Sequence, residues 1–144
     1  MTKARATKST DRGQAVKYRG VARAFLTAAD ALSLIADQDE TYGNAIALLA
    51  VHICVSYADA TCIGYGEQKS KAGDHALVVP LLRDTMRDRL PADVEKSLRL
   101  VVTRKDEIAY QGLQFSLRDA RQLLERAQHF AEWAEQMYQL RPTA

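Results

Sequence analysis

Apolar residues recur along most of the chain at three- and four-residue intervals, the period of an amphipathic helix, and strand-type alternation is nowhere sustained. A first helix is predicted from about Gln14 to Asp37, with Tyr18, Val21, Phe25, Ala28, Leu32 and Ile35 as its apolar stripe. A second, from about Thr41 to Tyr65, has no stripe. Eighteen residues without a formal charge separate Glu40 from Asp59, and apolar groups occupy every face, which predicts a helix buried by its neighbours. Its polar residues Thr41, Asn44, His52 and Ser56 argue against a membrane span. Gly64 to Gly73 reads as a loop. Asp74 is the N-cap of a third helix carrying Leu77, Leu81, Leu82 and Met86, with Pro80 kinking or restarting it. A fourth helix starts at Pro91 and runs through the charged stretch Arg104-Lys105-Asp106-Glu107, ending near Gly112. Ser116-Leu117-Arg118-Asp119 has the form of a capping box for a last helix reaching about Leu140. The pattern predicts an all-α protein, an antiparallel bundle of about five helices.

A length of 144 residues bounds this to one domain, assigned to residues 14–141. Residues 1–13 read as a disordered basic tail. Seven of the Lys and Arg residues, with Asp11 as the only acid, fall in the first 23 positions, so the net charge of +2 conceals a basic end and a net acidic remainder. Cys54 and Cys62 lie about 12 Å apart along one helix, too far to bridge, and read as buried fillers. No secretory pattern is present, and the expected location is the cytoplasm, with no membrane partner.

Chemistry concentrates where charge interrupts the apolar pattern. Lys105 falls on the stripe of Leu98, Val101 and Ile108, and Asp59 sits late in the uncharged second helix. Unpaired charges are costly to bury, so the two are expected to meet, the alternative being that Asp59 marks the helix reaching solvent. His75, beside the cap Asp74, stands at a helix N-terminus, where an imidazole is more easily neutral. His52 reads as a satisfied core histidine, and His129 as a surface residue. Glycines and lysines between Gly64 and Gly73 would suit a phosphate, without the order of a Walker loop. Neither zinc spacing nor a Glu-x-x-His pair is present, so no metal and no cofactor is expected.

The set Tyr57-Ala58-Asp59-Ala60, Gly73-Asp74-His75-Ala76, Arg104-Lys105 followed by Tyr110, Phe115-Ser116 and the final Ala127-Gln128-His129-Phe130-Ala131 resembles the HEPN superfamily over roughly residues 20–140. The resemblance implies a helical bundle, a homodimer, and an RNA-related context such as toxin–antitoxin or defence systems, with a partner protein encoded nearby. In that family an Arg followed after four to six residues by His cleaves RNA without metal; here Tyr110 stands in the histidine's place. Tyrosine, with a pKa of about 10, is a poor base at neutral pH. The implied function is therefore binding of nucleotide or RNA through a polar cleft, with catalysis lost. Arg104, Tyr110 and His75 would sit at its centre and Lys105, Asp59, Asp74, Asp106 and Glu107 around them. Two alternatives stand beside it. One is an active ribonuclease in which Arg104 and Lys105 stabilise the phosphorane and His75 or Tyr110 moves protons. The other is a bundle whose polar cluster is structural. Trp133, Met137 and Tyr138 on the last helix are the expected dimer contacts.

Overall fold

A computed structural model describes residues 7–71, 77–110 (the side chain of Tyr110 excepted) and 113–143. The order of elements is β1 (Thr7–Ser9), α1 (Ala15–Ala36), α2 (Gly43–Gly66), β2 (Gln68–Ser70), α3 (Val78–Met86), α4 (Ala92–Val102), α5 (Lys105–Tyr110) and α6 (Leu117–Gln139). The protein is an all-α bundle built around α2, whose residues from Ile53 to Gly64 are buried without interruption. Helices α1, α3, α4 and α6 surround it, and Ile46, Ile53, Leu82, Met86, Leu98 and Phe130 fill the space between them. The stretch Glu40–Gly66 is long and apolar enough to cross a membrane, yet 83% of its most apolar window is buried inside the chain. Its neighbours account for its apolar character.

Helix α1 does not bury the stripe that residue size suggests. Its buried positions are Ala15, Ala22, Ala29 and Ala36, seven residues apart, whereas Val21 and Ile35 are 42% and 71% exposed. Tyr18, Phe25 and Leu32 lie half-buried at the edge. Against a partner that is apolar on every face, small side chains allow the two backbones to approach, and the closer packing outweighs the larger residues.

The first helical turns are placed by local chemistry. The Ser116 hydroxyl accepts from the Asp119 N–H at 3.0 Å, as the capping pattern requires. The Glu40 carboxylate accepts from the Leu117 N–H at 3.1 Å, so an acid from the α1–α2 connection also serves the N-terminus of α6. Pro80 falls within the first turn of α3, where its missing N–H leaves no bond unmade. The expected long fourth helix is broken. α4 stops at Val102, the Thr103 hydroxyl donates back to the Arg99 carbonyl at 2.8 Å, and α5 begins at Lys105.

Two further corrections concern the ends of α2. Residues 7–9 of the expected disordered tail form β1, which pairs antiparallel with β2, Thr7 opposite Ser70 and Ser9 opposite Gln68. Arg12 secures it by donating from Nε to the Gly64 carbonyl at 3.0 Å and by an ion pair with Glu67 at 3.2 Å. The expected loop from Gly64 is in part helix, to Gly66, and in part this strand. Trp133 is buried against Phe130 and donates from Nε1 to the Arg89 carbonyl at 3.2 Å, and Tyr138 is buried too. Neither is available to a second molecule.

Candidate functional site

The break between α4 and α5 makes a corner over the N-terminal half of α2. Arg104 lies in the break, its Nε donating to Glu107 Oε2 at 2.7 Å and its guanidinium 5.0 Å from the centre of the Phe115 ring. Phe115 is itself fixed: its N–H donates to the Asn44 side-chain oxygen at 2.9 Å, and the Asn44 amide donates to the Leu113 carbonyl at 2.7 Å. The linker can lie this close because residue 43 is glycine; a Cβ there would stand 1.9 Å from the Phe115 oxygen. Glu107 thus holds Arg104, while Asp106 is exposed.

Lys105 opens α5 half-buried, and its charge is felt by His52 on α2. The His52 ring stacks on Phe25 with centroids 5.1 Å apart and an interplanar angle of 20°. Burial first, and then the Lys105 charge, hold its pKa below the usual histidine value, so the ring is neutral at pH 7. Half-buried, it makes no hydrogen bond among the described residues and is not a sealed core group. Sequence reasoning assigned it to the core because an all-apolar helix carries no period to show which face a short neighbour leaves open.

Asp59 stands apart from this corner. It is seven residues beyond His52 on α2, about 10 Å along the axis. Its carboxylate accepts from the Ser70 hydroxyl at 3.2 Å and from the Ser70 backbone N–H, and the nearby cation is Lys69. Lys69 in turn lies 4.9 Å over the Tyr18 ring. The expected Asp59–Lys105 pair is therefore corrected: the strand after α2 supplies the partner. Burial raises the Asp59 pKa to about 6 against the opposing effects of Lys69 and Ser70. Of the remaining expected site residues, Asp74, His75 and the side chain of Tyr110 lie outside the described residues.

A third polar cluster was not foreseen. Glu135 on α6 accepts a forked bond from Arg19 on α1 and a bond from the Tyr57 hydroxyl on α2 at 3.3 Å. Arg19 holds the Glu135 carboxyl below its ordinary range, and burial, ahead of the Glu135 charge, pushes Tyr57 up to about 12. A pocket of about 430 Å³ opens beside it, lined by Arg23, Leu26, Tyr57, Gln128 and Glu135 among others. The guanidinium, the carboxylate and the phenol bond one another within the chain, which suits a tie between three helices. Among the described residues no three His, Cys, Asp or Glu side chains converge to hold a metal ion. Comparison of the chain with protein-family models, with curated proteins and with solved structures returns no match in any of the three.

Proposed function

We propose that the protein binds RNA or a nucleotide through the α4–α5 corner, with Arg104 and Lys105 meeting phosphate oxygens and His52 contributing a neutral ring to the same ligand. The observation that carries this reading is His52: an imidazole with no hydrogen bond among the described residues, beside a lysine and next to an arginine already oriented on an aromatic ring. Phosphate recognition uses this combination, cations for charge and neutral donors for position. The resemblance to the HEPN superfamily points to the same ligand class, and a toxin–antitoxin or defence setting belongs to this proposal. Asp59, buried and turned toward β2, takes no part in it.

The test is binding of a fluorescently labelled single-stranded RNA in EDTA. Lys105→Ala and His52→Ala are each expected to weaken binding about five- to twentyfold, the loss of roughly one to two kcal/mol that a charge-assisted contact represents. Affinity should fall steeply with salt. Unchanged affinity in both variants overturns the proposal. The depressed pKa of His52 favours one second reading, a ribonuclease in which this imidazole takes a proton while the two cations stabilise the phosphorane. RNA cleavage in EDTA that disappears in His52→Ala would select it.

A further inference from the structure

Four of the seven large apolar side chains exposed among the described residues lie on α1: Val16, Val21, Leu34 and Ile35. At 100° per residue these flank a line formed by Gly20, Ala24, Thr27 and Ala31, all exposed. From Gly20 to Ile35 this outward face carries no charge. Leu34 is the most exposed of the set at 83%. Gly20 is also unexplained inside the chain: a Cβ built there would meet nothing within 4 Å. Glycine in a helix interior is less favourable than alanine, and its usual compensation is close approach of another backbone.

We infer that α1 is the interface of a two-fold homodimer, in which the helices of two copies pack antiparallel about a centre at Thr27 and Ala28. The charges on its edge select the second copy as occupant. Arg23 and Asp30 lie seven residues apart on one flank, basic toward the N-terminus and acidic toward the C-terminus. Antiparallel packing brings Arg23 of one copy beside Asp30 of the other, twice. A parallel two-fold pair would set this flank against the partner's opposite one, which carries no charge between Gly20 and Ile35, and would form neither contact. The ties these groups make within one chain are slight. Arg23 is 3.9 Å from Glu135, and Asp30 accepts from the Gln128 amide. The same register lays Ile35 over Gly20 and sets the small residues Ala24 and Ala31 against each other, so that the two backbones can approach near the centre. This dimer is independent of the phosphate-binding reading, and it replaces α6, whose Trp133 and Tyr138 are buried in their own chain.

The measurement is sedimentation velocity of the full chain from about 1 to 100 µM, the range in which a modest helix–helix interface dissociates. The expected mass at the upper end is twice 16.0 kDa. Ala31→Glu, at an exposed position, should return the monomer with an unchanged circular dichroism spectrum. Arg23→Asp should weaken the dimer at least fivefold and Arg23→Asp with Asp30→Arg should restore it. Thr27→Cys should form an intermolecular disulfide on mild oxidation, because Cys54 and Cys62 are buried and cannot compete. A monomer throughout the range overturns the inference. So does a dimer that survives Ala31→Glu and fails to cross-link through Thr27→Cys.

Discussion

The carboxyl group of Asp59 has given up most of its water and receives in exchange only Ser70 and the charge of Lys69. Its folded pKa, about 6, stands above the ordinary 3.8, so between these values the folded protein keeps a proton that the unfolded chain has released. Stability therefore falls as pH rises from about 4 to about 6 and stays lower above it, by an amount of about 1 to 3 kcal/mol. Asp59→Asn, which retains an acceptor for Ser70, is expected to raise stability at pH 7.5 by about that amount and to flatten this slope. Urea unfolding at pH 4.5 and 7.5 checks both; a variant less stable than the parent at pH 7.5 contradicts the sign. That Asp59 was a special acid could be read from its isolation in an uncharged run. Its partner could not, because pairing it with Lys105 assumed one continuous helix through Arg104, and the actual cation stands in what looked like a loop. His52 was hidden for a related reason: burial in α2 is decided by which neighbour is short, and α5 has only six residues.

At the scale of elements, the apolar period located each long helix, and Ser116 marked the start of α6 to the residue. What the period misjudged was rotation and continuity. The alanine row of α1 faces α2 because close approach is worth more there than side-chain size, a property of the pair that neither helix shows alone. Ala29→Leu is accordingly expected to destabilise the protein by about 1 to 3 kcal/mol, although leucine is both more apolar and a good helix former. Thermal unfolding measures it, and a variant as stable as the parent would mean that α1 can rotate on α2. The break at Thr103 carries no glycine or proline. It depends on a hydroxyl returning to Arg99 and on the pull of the Phe115 linker, which Asn44, about 60 residues before the break, clamps from the start of α2. Such a long-range cause leaves no local trace in the sequence, and so the corner that holds Arg104 and Lys105 was assigned to the middle of a helix.

The molecule as a whole folds around one helix, and its lone tryptophan reports on that. Trp133 is buried and bonded to Arg89, so its emission should be blue-shifted in the folded protein and move red in a single transition that coincides with loss of helical circular dichroism. Two separated transitions would show that α6 leaves the bundle before the rest. An all-α architecture was readable because it follows from summed periodicity, whereas the proposed binding corner depends on how three distant segments meet. The central place of α2 has a further consequence, for synthesis. Helix α6, which closes over it, is completed about 70 residues later in the chain, and at ordinary elongation rates that interval is on the order of 4 to 15 s. Throughout it the ribosome holds out a helix with a mean hydropathy of 1.8 over its most apolar window, attractive to any targeting factor or chaperone that recognises apolar segments. Whether a nascent copy reaches the folded bundle is decided in those seconds by competition between α6 and such factors, so slow translation of residues 67–139 would lower the yield of folded protein without changing its stability.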